Sequence, residues 1–160
     1  MILDIQRAIN RISIDFDRDR FTSGDCHHLA IALLLINNNA GALLACIRSE
    51  VDENAKVFSE TYSHMVYESP ESLIWDIDGQ NADFRWEGLW PDSTVFDKDG
   101  LCNQFKWINV AVKDIQPWLR AHFSCYDPEL VEQLTASARG SACEANQSQM
   151  PSVQTQRMRM

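Results

Sequence analysis

The chain has 160 residues, 45% of them hydrophobic, and a formal net charge of −9. That length suits one domain, and the apolar content is enough for a core. The acidic balance argues against nucleic acid as a partner, because surfaces that bind it are basic.

In chain order, residues 2–10 set Ile2, Leu3, Ile5 and Ile9 among polar residues, which predicts a short amphipathic helix covering one edge of the core. Residues 11–16 alternate, with Ile12, Ile14 and Phe16 against Ser13 and Asp15, and read as a strand or extended approach. Asp17-Arg18-Asp19-Arg20 mixes signs at short range and reads as a solvated turn. Residues 21–25 form an entry loop in which Ser23 or Asp25 caps the next helix. That helix covers residues 26–36, with Leu29, Leu33 and Ile36 at helical spacing and nearly every later position apolar, so it is expected to be buried. Asn37-Asn38-Asn39-Ala40-Gly41 ends it, with Gly41 free to take positive φ.

Residues 42–48 are apolar enough for a central strand, and Glu50 to Asn54 form a polar turn. Residues 56–67 lead into a strand around His64, Ser69-Pro70-Glu71 breaks it, and residues 72–78 return as a second strand closed by Gly79. Residues 80–100, with Trp86 and Trp90, read as an irregular segment or short helix ending in the turn Asp97-Lys98-Asp99-Gly100. That turn lacks the twelve-residue pattern of a calcium loop. Another strand is expected over 101–112, a short helix from Pro117 to Phe123, and a helix starting at Asp127-Pro128-Glu129 and ending near Arg139-Gly140. Residues 1–140 thus form a single domain, and the glutamine- and serine-rich residues 141–160 form a flexible tail.

Five cysteines (Cys26, Cys46, Cys102, Cys125 and Cys143) make an odd number with no C-x-x-C pair, which suits a reducing compartment and at least one free thiol. No secretory signal shows, and the longest apolar stretch, Leu29 to Ile36, is far too short to span a membrane. A cytoplasmic protein is expected, or one exported without a cleaved signal; no membrane partner is expected, and the oligomeric state is open.

Ser23-Gly24-Asp25-Cys26 places one cysteine on the first turn of the buried helix, at the positive end of the helix dipole, where a thiolate is favoured. His64 is the preferred base, because a rigid strand holds an imidazole in place. His27 and His28 are poorer bases for Cys26, because neighbouring helix residues do not face each other. Gly24, Asp25 and His27 are candidate pocket residues, and His122 is expected to be structural. A hairpin turning at Ser69-Pro70 puts the partner of residue 64 near residue 75 or 76, so Asp76 is the favoured acid to orient His64 and Asp78 the alternative. A zinc site from Cys26, His27, His28 and His64 is the metal alternative. It is disfavoured, because the adjacent histidines point apart and no His-Glu-x-x-His or second cysteine at ligand spacing is present. No metal or cofactor is therefore expected.

Gly24-Asp25-Cys26-His27-His28-Leu29-Ala30, then His64-Met65-Val66, then Trp75-Asp76-Ile77-Asp78-Gly79 resembles the papain-like superfamily in its broad sense. The nearest branches are the transglutaminase-like, NlpC/P60-like and bacterial effector glutamine deamidase proteins, small bacterial and phage members. The resemblance covers roughly residues 20–80. It implies an α+β fold with a papain-like core, in which a helix bearing the N-terminal cysteine packs on an antiparallel sheet. It also implies Cys26 as nucleophile, His64 as base and Asp76 as orienting acid in a hydrolase that cleaves or deamidates a peptide or amide bond of a protein or peptide substrate. The chain departs from papain proper in having His27 where an aromatic residue usually follows the cysteine, and no matching upstream glutamine, so no side chain is assigned to the oxyanion hole. The alternatives are transamidation, or a non-catalytic interaction module on the same fold.

Overall fold

A helix that is apolar on every side must be surrounded, and Cys26–Ile36 is: only Leu35 among its residues is not buried. The structure, a computed structural model, describes residues 4–80, 97–122 and 124–147. Within them the order is α1 (Ile5–Asp15), α2 (Arg20–Ser23), α3 (Cys26–Ile36), β1 (Ala42–Asp52), β2 (Val57–Glu68), β3 (Ile74–Asp76), β4 (Gly79–Gln80), β5 (Leu101–Val110), α4 (Ile115–Ala121) and α5 (Pro128–Gln147). The fold is α+β. The five strands form one antiparallel sheet in the order β4-β3-β2-β1-β5, so β1 lies inside it, flanked by β2 and β5.

The core lies between one face of this sheet and the helices. Ile9 and Ile12 of α1, Leu29 and Leu33 of α3, Leu43 of β1, Met65 and Tyr67 of β2, Leu119 of α4 and Leu134 of α5 join in one cluster. α3 packs against β2 and α5, and α1 also packs against α5.

The expected strand over 11–16 is instead the second half of α1. Ile12 completes the helical series Ile5, Ala8, Ile9, Ile12, all buried. Ile14, which made the segment alternate, is 75% exposed. The last helix runs past Gly140 to Gln147. It starts as expected, with Asp127 Oδ1 accepting from the N–H groups of Glu129 and Leu130. The helix around Pro117 begins two residues earlier, at Ile115, and stops at Ala121. Trp86, Trp90 and most of the segment expected to be irregular lie outside the described residues, as do residues 148–160 of the expected tail.

Gly41 follows α3 with φ +112°, and a Cβ there would come within 2.2 Å of the Glu68 carbonyl oxygen. Only glycine fits the approach of this turn to the end of β2. The returning strand is much shorter than expected: it covers Ile74–Asp76, with Ile74 and Trp75 paired to β2. The chain turns at Ile77-Asp78, the Asp78 N–H donating to Asp76 Oδ1 at 2.8 Å, and Gly79 at φ +99° carries it into β4.

Candidate active site

Cys26 is the first residue of α3, and Asp25 holds the cap position before it. Asp25 does not cap the helix with its side chain, contrary to expectation. Its carboxylate turns away: Arg20 Nε donates to Oδ2 at 2.8 Å, and His28 Nδ1 stands 3.0 Å from Oδ1. Gly24 is exposed, with open space where a Cβ would stand.

β2 supplies the facing side chains. Its register against β1 slips between the pairs Cys46–His64 and Ile47–Tyr62, leaving Ser63 as an extra residue. Such a bulge re-aims the side chains beside it. Tyr62 and His64, on either side of Ser63, both reach Cys26. The Tyr62 hydroxyl lies 3.3 Å from Cys26 Sγ, and the His64 imidazole is near enough to lower the thiol.

Asp76 stands behind His64. Its Oδ2 is 3.8 Å from His64 Nε2, an ion-pair contact longer than a hydrogen bond. The register differs from the expected one. Tyr67 pairs with Trp75 and Glu68 with Ile74, which sets Asp76 opposite Val66 and places His64 one diagonal step along. Residue 78 would face His64 had the strand continued. The strand stops at Asp76 instead, and the Asp78 side chain forms an exposed ion pair with Arg18. Asp78 contributes only its backbone N–H, which holds Asp76. Cys26, His64 and Asp76 are thus brought together, and the Asp78 carboxylate is set apart.

Burial alone would raise the Cys26 thiol. The side-chain hydrogen bonds of His27 and His64, the charge of His64 and the Tyr62 hydroxyl outweigh it and bring the thiol from 9.0 to about 5. Burial opposes charge on His64 as well, but Asp76 and the Cys26 sulfur raise it from 6.5 to about 9. Both shifts favour a thiolate facing an imidazolium. Burial and the Cys26 charge push the Tyr62 phenol far above its ordinary value, so it stays protonated. Cys46, also buried but without such partners, is pushed up to about 11 by desolvation.

The two histidines after Cys26 have separate tasks. His28 Nε2 accepts from the Asp127 backbone N–H at 2.8 Å, so its proton sits on Nδ1, toward Asp25. Burial and the charge of His27 bring it down to about 4. Neutral His28 is a strut between the start of α3 and the start of α5. His27 Nε2 lies 2.7 Å from the Cys125 carbonyl, which can only accept, so that nitrogen carries a proton. His27 Nδ1 faces the Tyr62 hydroxyl at 3.4 Å. His27 is no spectator, although helix geometry set it aside: it meets the Tyr62 hydroxyl that faces the sulfur, and it helps to lower the thiol. His122 stacks on Trp118, ring centroids 4.1 Å apart, with Nδ1 2.8 Å from the Trp118 carbonyl. Trp118 in turn meets the edge of Tyr62.

Tyr62 is the site residue that sequence reasoning missed. The available signal was its place two residues before His64 on an expected strand, where two side chains share a face. Cys26, Cys46, Cys102 and Cys125 are free thiols. Among the described residues no group of three or more histidine, cysteine or acidic side chains is placed to hold a metal ion. The loop at Asp97 is a turn, its carboxylate accepting from the N–H groups of Asp99 and Leu101. No described helix is long and apolar enough to cross a membrane. No family model, curated protein or solved structure matches the chain.

Proposed function

We propose that the protein is a papain-like cysteine hydrolase acting on the amide bond of a peptide or protein through Cys26, His64 and Asp76. The observation that carries this reading is the pairing at Cys26 and His64: a thiol brought down to about 5 beside an imidazole held at about 9. A structural cysteine buried as Cys46 is goes the opposite way. Perturbed groups of complementary sign at a helix start are what nucleophilic catalysis requires.

The Cys26 thiolate attacks the substrate carbonyl carbon. The S–C bond forms, and the C=O π pair moves onto oxygen. The N–H groups at the start of α3, which the Asp25 side chain does not cap, offer positive potential there. As the tetrahedral species collapses, the C–N bond breaks, and His64 gives its proton to the leaving amine or ammonia. Neutral His64 then takes a proton from water, the hydroxide equivalent attacks the thioester, and the acid leaves with the thiolate restored. Asp76 keeps the imidazole oriented, and the Asp78 N–H keeps Asp76 oriented. Peptide cleavage, side-chain deamidation and transamidation share these steps and differ in the leaving group and the second nucleophile. The free thiols suit a reducing, cytoplasmic setting.

The test incubates the protein with a mixture of peptides rich in glutamine and asparagine, quenches it in acid and searches the Cys26 peptide for acyl adducts cleaved by hydroxylamine. An adduct on Cys26, absent from Cys26→Ala, is expected. New peptide termini then mark a protease, and released ammonia without new termini marks a deamidase. An intact mixture and an unmodified Cys26 leave the non-catalytic module as the better reading.

A further inference from the structure

A thiolate–imidazolium pair attacks a carbonyl, but it does not by itself hold the negative charge that then appears on oxygen. The side chain placed for that task is Tyr62. Its hydroxyl is 3.3 Å from Cys26 Sγ, so it lies beside the position a tetrahedral oxygen on the attacked carbon would occupy. It is set on β2 next to the bulge at Ser63, and its ring is held edge-on by Trp118 with centroids 5.2 Å apart.

The hydrogen-bond directions around it are constrained. The Cys125 carbonyl accepts the proton on His27 Nε2, and His27 Nδ1 stands 3.4 Å from the Tyr62 oxygen. The Tyr62 hydroxyl thus stands between the sulfur and His27 Nδ1. An anion is the stronger acceptor, so the proton points at the thiolate in the resting enzyme. Once the S–C bond forms, the sulfur becomes an uncharged thioether and the new anion is the substrate oxygen next to it. The hydroxyl follows the charge, with His27 keeping it in the same cleft.

We propose that Tyr62 is the side-chain donor of the oxyanion hole, a catalytic residue, and that His27 with the Cys125 carbonyl is its positioning support. This rests on Cys26 being the nucleophile. No proton is transferred to the oxyanion: Tyr62 donates a hydrogen bond while the C=O pair sits on oxygen, and releases it when the carbonyl re-forms.

Two reagents separate this role from a general effect on the thiol. Iodoacetamide alkylates sulfur by direct displacement and makes no oxyanion, whereas p-nitrophenyl acetate acylates sulfur through one. Both are applied at pH 8 to protein carrying Cys125→Ser, which keeps the residue 125 carbonyl, and the Cys26 peptide is followed by mass spectrometry. Tyr62→Phe, which keeps the ring packing, is expected to slow acylation by about 10²-fold and alkylation by less than about 3-fold. His27→Ala is expected to slow acylation selectively as well, and adding it to Tyr62→Phe should slow acylation little further. Equal slowing of both reactions by Tyr62→Phe, or slowing of neither, overturns the proposal. The parent protein separates the two readings: if its Cys26 is not acylated or alkylated ahead of its other cysteines, the nucleophile itself fails and the oxyanion role fails with it.

Discussion

Asp76 faces His64 across 3.8 Å from a strand that ends at Asp76 itself. The early end decides which carboxylate faces the imidazole. A longer β3 would have carried residue 78 opposite His64. The turn instead gives Asp78 to Arg18 and leaves Asp76, held by the Asp78 N–H, as the carboxylate behind the ring.

The two acids are therefore expected to differ sharply on substitution. In Asp76→Asn the His64 imidazole loses the carboxylate that raises it, so its titration, followed by the ring-carbon NMR shift, moves from about 9 toward its ordinary 6.5. In Asp78→Asn the backbone donor survives, and the titration stays within a few tenths of a unit. Equal shifts in the two variants would contradict the assignment.

How much of this was legible in the sequence depends on the length scale of the signal. The α3 bounds follow from an unbroken apolar run that only a buried helix can carry, and Cys26 at its start was readable from Ser23-Gly24-Asp25-Cys26. Asp76 was favoured as the acid on a hairpin register that the structure does not adopt. The hairpin register was misjudged, and the bulge at Ser63 leaves no mark in composition. Tyr62 was overlooked although it sits two residues before His64 on the expected strand, and His27 was set aside because an i, i+1 rule for side-chain facing says nothing of a bridge through a third residue. The strand expected over 11–16 failed because Ile12 fits two periods, and only the burial of Ile5, Ala8 and Ile9 selects the helical one.

Acid should destabilise the fold at a definable place. Between pH 6.5 and 9 the unfolded chain carries a Cys26 proton that the folded one lacks and lacks the His64 proton that the folded one keeps, so the two slopes cancel. From pH 6.5 down to about 5 only Cys26 of that pair differs; the unfolded state binds more protons, and stability falls with pH. His28, neutral when folded down to about 4 and charged below 6.5 when unfolded, adds a loss of the same sign. Tm is expected to drop on acidification from pH 6.5 to 4 and to drop less steeply in His28→Gln, which keeps an acceptor for the Asp127 N–H. A slope unchanged in that variant would contradict the strut assigned to His28.

Gly79 turns the chain directly behind the acid at φ +99°, and a Cβ there would come within 2.5 Å of Gln6 Oε1. The Gln6 side chain has room to swing aside; the backbone angle does not relax. Gly79→Ala is expected to cost about 1–2 kcal/mol, read as a lower urea midpoint with unchanged m-value. No change in midpoint would mean that the turn tolerates a side chain.

The central claim is that His64 holds Cys26 as a thiolate at neutral pH. It is tested most directly by the rate of Cys26 alkylation by iodoacetamide from pH 4 to 10, in the native protein and in His64→Ala. The native rate should reach half its plateau near pH 5 and be flat at neutrality, and His64→Ala should move that midpoint upward toward 9.0. A native midpoint at or above 9.0, or one that His64→Ala leaves in place, would contradict it.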